Sequence, residues 1–246
     1  MRYLFLTDLH SNWQALEAVL RHANDRYERV VCCGDLVGYG ADPNPVVEWV
    51  RANCAVVVRG NHDRAATGQE DLEWFNPVAR AAAIWTARAL SAENAAYVRE
   101  LAKGPCFIEG IEVLHGSPCD EDDYLIAADD ASDAFAYLES RLAFFGHTHL
   151  QGGFIWDRER VEMISPVPLD SCREVMDINP QRGYLINPGS VGQPRDGDPR
   201  AAYALYNSDA AVLSYCRVKY DVEAACRKIR DAGLPPVLAD RLSVGR

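Results

Sequence analysis

Five times in this chain a short apolar run breaks off into a polar turn carrying Asp, Asn or His. No other feature constrains the fold as much. The turns are Asp8-Leu9-His10, Gly34-Asp35, Gly60-Asn61-His62-Asp63, His115-Gly116 and Gly146-His147-Thr148-His149. A carboxylate or imidazole at the C-terminal tip of a buried strand projects from the sheet edge into a cleft. One such turn is an ordinary loop. Five in series, each after an apolar run, can converge on one edge of a sheet assembly. The chain has 6 histidines, and His10, His62, His115, His147 and His149 all fall in these turns. His22, on a helical stretch, reads as surface or core filler.

The residue types specify the chemistry. Asp8 and His10 stand two apart on an extended segment, so both side chains can face the same side and share a metal. His147 and His149 do the same from another strand end. Mixed imidazole and carboxylate donors suit manganese, iron or zinc better than calcium or magnesium. The donors are too many for one ion, but they suffice for two ions that share a carboxylate, and Asp35 is the natural bridge. Two metals about 3.5–4 Å apart can clamp a phosphate and acidify a bridging water. Two divalent ions bring four positive charges against two negative ones from Asp8 and Asp35, so the centre attracts phosphate. His62 is the spare histidine, placed to protonate a leaving group or to stabilise the transition state.

Strand and helix alternate around the first turns. Arg2 to Thr7 reads as a buried strand. Ser11 or Asn12 then caps a helix carrying Leu16, Val19, Leu20 and Ala23. Val30–Cys33 and Ala55–Val58 are further strands, separated by a helix started at Pro45. This alternation predicts an α/β sheet with parallel strands. A helical pair follows from Asn76 to Ala102, with Val78, Ala82, Trp85 and Ala89 as one stripe and Ser91 as the second cap. These helices either roof the cleft or pack on its side. Short strands near Cys106–Ile108, Ile111–His115, Leu142–Phe145, Gly153–Trp156, Tyr184–Ile186, Ala202–Tyr206 and Ala211–Val218 predict a second, more mixed sheet. Asp221 caps a helix stopped by Gly233 and Pro235. With no internal repeat or linker, the reading is a single domain over 1–246 with a helical insert at about 68–103.

Bulk properties narrow the function. A formal net charge of -11 argues against a broad grip on a nucleic-acid backbone but permits a small phosphorylated or nucleotide substrate held by metal. Met1 to Leu6 is too short an apolar run for a signal peptide, and no stretch approaches the ~18 apolar residues of a membrane span. The 8 cysteines contain no CxxC pair, so reduced thiols and a cytoplasmic location are expected. The acidic run Asp120-Glu121-Asp122-Asp123 reads as a solvated loop.

In this order the five segments resemble the calcineurin-like metallophosphoesterase superfamily. The Asn187-Pro188-Gly189-Ser190-Val191-Gly192 loop and the Trp74-Phe75-Asn76-Pro77 segment resemble its small bacterial and archaeal phosphodiesterase branch. The resemblance implies an α/β four-layer α-β-β-α sandwich with two mixed β-sheets. It implies that Asp8, His10, Asp35 and His149 hold one ion, that Asp35, Asn61, His115 and His147 hold the other, and that His62 is the catalytic histidine. Manganese is the first expectation for both ions, with iron, zinc, cobalt and nickel also suited. The protein Ser/Thr phosphatases of this superfamily carry an Asp-Arg pair just after the GD segment. Here those positions are Gly38 and Tyr39, and GNHE is GNHD, which argues against a protein phosphatase. Asp63 or a backbone carbonyl is left to orient His62. The expected activity is hydrolysis of phosphodiester or phosphoanhydride bonds by a hydroxide bridging two metal ions. The alternatives are a dinucleoside polyphosphate hydrolase, such as one for diadenosine tetraphosphate, and a non-catalytic scaffold of the same fold. Asn12, Arg64 and Arg195 are candidate substrate contacts.

Overall fold

The computed structural model describes residues 1–164 and 173–246, except for the side chains of Trp74 and of 173–175. Two six-stranded sheets face each other. The first runs β3 (Cys54–Val57), β2 (Arg29–Cys32), β1 (Arg2–Leu6), β11 (Ala201–Asn207), β12 (Val212–Val218), β9 (Arg173–Asp177). The second runs β4 (Cys106–Ile108), β5 (Ile111–Val113), β6 (Leu142–Phe144), β10 (Gly183–Asn187), β7 (Gly152–Trp156), β8 (Val161–Ile164). Both are mixed. Strands β1, β2 and β3 run parallel, as do β5, β6 and β10, and the other pairings are antiparallel.

Strand period explains the layers. Along β1, Tyr3 and Phe5 point into the space between the sheets, while Leu4 and Leu6 point outward beneath helices. Both faces are covered, so the strand is apolar at every central position rather than alternating. Phe5 of one sheet stacks on Phe144 of the other at 3.5 Å between ring centroids. The outer face of the first sheet is packed by α1 (Trp13–Ala23), α2 (Pro43–Asn53) and α5 (Ala92–Arg99), and that of the second by α6 (Ala128–Phe135). The expected four-layer α-β-β-α sandwich with two mixed sheets is the observed architecture.

Details differ from the sequence expectations. Helix α2 begins at Pro43, two residues earlier than expected. Short α3 (Asn61–Ala66), α6 and α8 (Pro236–Leu242) and strands β8 and β9 carry no strong pattern in the sequence. The insert contains α4 (Pro77–Ala89) and α5, capped by Asn76 and Ser91 as expected. The buried face of α4 is Ala79, Ala82, Ala83 and Thr86, one position off the expected stripe, with Val78 and Trp85 only partly buried. Ala79 and Ala82 join side chains of α7 (Val222–Asp231) and α8 in one apolar cluster around Tyr39. Among the described residues six cysteines are free, but Cys216 is disulfide-bonded, so the expectation of wholly reduced thiols fails there. Among the described residues no helix is long and apolar enough to cross a membrane.

Candidate metal centre

The turns that end β1, β2 and β6, the turn after β5 and the start of α3 meet at one edge of the sandwich. Asp8 follows β1, Asp35 follows β2, His115 follows β5, and His147 and His149 follow β6. Backbone hydrogen bonds lock the turns together. Asp8 N–H donates to Gly34 O, His10 N–H to Asp35 O and Gly146 N–H to His115 O. The backbone is bent hard to do so: φ is +52° at Asp8, +46° at His10, +53° at Asp35, +67° at His147 and +61° at His149. Left-handed φ in non-glycine residues costs roughly 1–3 kcal/mol each and persists where surroundings over-determine it, most often at functional sites.

Two donor groups result. One is Asp8, His10, Asp35 and His149; the other is Asp35, His115 and His147, with all ligand atoms of each group within 4.8 Å of one another. Asp35 belongs to both. Its Oδ1 accepts from His62 N–H at 2.9 Å, while its buried Oδ2 has no hydrogen-bond partner among the described residues. That free oxygen lies 3.6 Å from Nε2 of both His10 and His115. Asn61 joins the second group, its Oδ1 3.4 Å from His115 Nε2.

The donor set fits metal ions. His10 Nδ1 bonds Val37 O at 3.0 Å, His149 Nδ1 bonds Gln193 O at 2.6 Å and His115 Nδ1 bonds Cys33 O at 2.8 Å. A carbonyl accepts only, so each Nδ1 carries the proton and each Nε2 presents a lone pair. His10 and His149 then face each other lone pair to lone pair at 3.0 Å, an arrangement that a cation relieves. His147 is set the other way, its Nε2 donating to Asp122 O at 3.1 Å and leaving Nδ1 as donor to a metal. The electrostatics agree. Burial pushes the Asp8 carboxyl up to about 7 and Asp35 well above the usual range, while burial drives His10 and His149 well down and His147 to about 2. Neutral imidazoles and penalised carboxylates in one buried pocket are a site that divalent cations stabilise.

An adjacent hydroxyl and a loop remote in sequence hold the ligands in place. Thr7 Oγ1 donates to Asp8 Oδ2 at 3.0 Å, and Ser190 Oγ donates to Asp8 O at 2.8 Å. Asn187 Nδ2 donates to Gly146 O and Thr148 Oγ1, so the Asn187–Gly192 loop braces two ligand turns.

Beside the ligands opens a cavity of about 350 Å³ walled by Tyr39, Asn61, His62, Phe75, Tyr124 and His147, with Asn76 and Ala79 from the start of α4. The insert thus walls the cleft at one end and packs on α2 and α3 elsewhere. His62 is buried, with its ring 4.3 Å from Tyr39 and edge-on to Phe75 at 5.4 Å between centroids. Its Nδ1 has no hydrogen-bond partner among the described residues. Neither orienting group expected from the sequence is present. Asp63 instead accepts from Val37 N–H and Gly60 N–H, tying α3 to the turn after Asp35. Aromatic packing fixes the ring, and Gly38 makes room for it: a Cβ there would sit 2.7 Å from His62 Nδ1.

The three candidate substrate contacts fare differently. Asn12 caps α1 and donates to Gly192 O, a structural role. Arg64 lines the cavity, but its guanidinium is paired with Glu70, Glu121 and Asp122. Glu121 is itself buried and also binds Arg59, so the acidic run is not simply a solvated loop. Arg195 lies near the first donor group, its N–H donating to His149 O at 3.4 Å. Sequence reasoning gave no role to Tyr124, whose ring lies 4.0 Å from that of His147.

Known proteins place this arrangement. The family model for the calcineurin-like phosphoesterase superfamily domain matches residues 1–211. An uncharacterised protein of Methanocaldococcus jannaschii is 37% identical over 253 residues, covering 98% of this chain and 97% of that one. A metallophosphoesterase from Sphaerobacter thermophilus superposes with a TM-score of 0.85 at 39% identity, covering 100% of this chain and 99% of that one. A hypothetical protein from Pyrococcus horikoshii OT3, at 18% identity, shares the fold with a TM-score of 0.78 over 100% of this chain and 98% of that one. With the model spanning most of its length and two relatives matched from end to end, the chain belongs to the calcineurin-like phosphoesterase superfamily.

Proposed function

We propose that the protein is a dinuclear-metal hydrolase of phosphodiester or phosphoanhydride bonds. The observation that carries this reading is the pair of buried donor groups sharing the unpartnered Asp35 Oδ2. Asp8, His10, Asp35 and His149 would hold one ion, and Asp35, Asn61, His115 and His147 the other. Such ions, when bound, act as Lewis acids that polarise a phosphoryl group and acidify water. The chain's own residues do the rest. Tyr39, Phe75 and Tyr124 wall the cleft in which the substrate would lie, and the bracing loop keeps the ligands from shifting when charge develops.

His62 is the candidate catalytic residue. No carboxylate or carbonyl engages its Nδ1, and burial lowers its pKa to about 3, with Arg195 adding to the effect. A neutral ring in that setting donates a hydrogen bond to an oxygen that gains charge in the transition state, which supports stabilisation over full proton donation.

Gly38→Ala tests the packing argument. Glycine holds φ +93° there, and an added methyl would meet the His62 ring. The expected result is a fall in turnover of at least tenfold with metal content unchanged and a stability loss of about 1–3 kcal/mol, read by metal analysis, kinetics and thermal melting. The function itself is tested by assaying the protein loaded in turn with manganese, iron, zinc, cobalt and nickel on a bis-aryl phosphodiester. Turnover with at least one metal is expected; its absence with all five sinks the reading.

A further inference from the structure

Two arginines lie against the Tyr39 ring, and neither neutralises the other's charge. Arg195 Cζ lies 5.9 Å and Arg241 Cζ 6.0 Å from the Tyr39 ring centroid. The Tyr39 ring in turn packs 4.6 Å from His10 and 4.3 Å from His62. Both guanidiniums therefore lie beside the ring that packs on two histidines of the proposed site. Among the described residues Arg195 Nη2 reaches only Tyr39 Oη at 3.3 Å and Gln193 Oε1 at 3.5 Å, and its buried Nε has no acceptor. Arg241 comes from α8, beyond the segment matched by the family model. Its Nε donates to the Arg246 backbone oxygen at 2.8 Å, leaving both terminal nitrogens without an acceptor among the described residues. Neither side chain forms an ion pair with a carboxylate side chain among the described residues. Gln193, 1% exposed, adds an unpartnered Nε2 donor on the same segment. Its backbone oxygen is also the one that fixes His149.

Buried donors left unsatisfied are costly unless a ligand supplies acceptors. Two guanidiniums brought together repel unless an anion lies between them, and the planar donor fork of arginine suits phosphate oxygens. In a chain of net charge -11, such a spot is conspicuous. We infer that Gln193, Arg195 and Arg241 form a second anion subsite beside Tyr39 and the metal centre, which selects substrates carrying a further phosphate beyond the scissile one. The inference rests on the functional reading above and sharpens it toward phosphoanhydrides over simple diesters. In the reaction it favours, water adds oxygen to one phosphorus, the bridging P–O bond breaks, and the leaving phosphate departs with the bridging oxygen while a proton passes to solvent. The further phosphate can belong to a nucleotide or to inorganic polyphosphate.

The test compares wild type, Arg195→Ala, Arg241→Ala and Arg241→Lys, all manganese-loaded at fixed free metal. The substrates are a dinucleoside tetraphosphate, inorganic tripolyphosphate and a bis-aryl phosphodiester. Each alanine variant is expected to lose at least tenfold more kcat/KM on the anhydrides than on the diester, mostly through KM, and Arg241→Lys to recover part of it. Calorimetry of methylenediphosphonate against orthophosphate should show the same selective weakening of Kd. Loss on both anhydrides assigns recognition to phosphate alone; loss on the dinucleotide alone extends the subsite to the nucleoside. Equal losses on diester and anhydride, or none on the anhydrides, overturn the subsite while leaving the hydrolase reading intact. A wild type inert on all three substrates overturns both.

Discussion

Asp35→Asn is expected to remove metal from both donor groups together. The carboxylate presents one oxygen to the His62 backbone and aims the other, unpartnered, at His10 and His115. An amide keeps the shape but loses the charge, and its single oxygen can face the two donor groups or accept from His62 N–H but not both, so both groups weaken. Asp8→Asn should weaken mainly the group that contains His10 and His149. Metal analysis reads this directly, and thermal melting gives a second readout. At one hundred times Kd each site adds about 2.7 kcal/mol, so loading two sites should raise Tm by roughly 10–20 °C in wild type, and Asp35→Asn should lose most of that rise. Without metal the variant should melt no lower than wild type, because burial already penalises the Asp35 charge. An Asp35→Asn protein that still bound two ions per chain would remove the bridge from the account.

His62→Ala is expected to keep both ions and lose turnover by about 10²–10³-fold, the usual effect of deleting one donor aimed at developing charge. The ring is not a ligand in either donor group. It sits against Tyr39 and Phe75 with no acidic partner to hold a second proton. The loss should therefore be similar for aryl diesters with good and poor leaving groups. A loss that grew steeply as the leaving group became more basic would assign His62 to proton donation instead.

Much of this was legible in the sequence because metal chemistry demands particular residue types and strand tips place them. Asp8, His10, Asp35, His115, His147 and His149 each end an apolar run, and those runs converge as expected. The caps Asn76 and Ser91 announced the insert. What escaped depends on partners far along the chain. Glu121 is buried only because Arg59 and Arg64, about sixty residues earlier, reach it. Tyr39 packs on both His62 and Arg241 of α8, a seven-residue helix with no periodic pattern to give it away. The face of α4 was misjudged because its buried side is made of alanines and a threonine, while the bulkier Val78 and Trp85 stay partly exposed.

The most direct measurement is a manganese titration of dialysed protein that counts bound ions per chain while following hydrolysis of a bis-aryl phosphodiester. The account predicts saturation at two ions per chain, with turnover appearing as the second ion binds. Fewer than one ion per chain with manganese, iron, zinc, cobalt and nickel alike, or two bound ions with no hydrolysis of any phosphoester or phosphoanhydride, would contradict it.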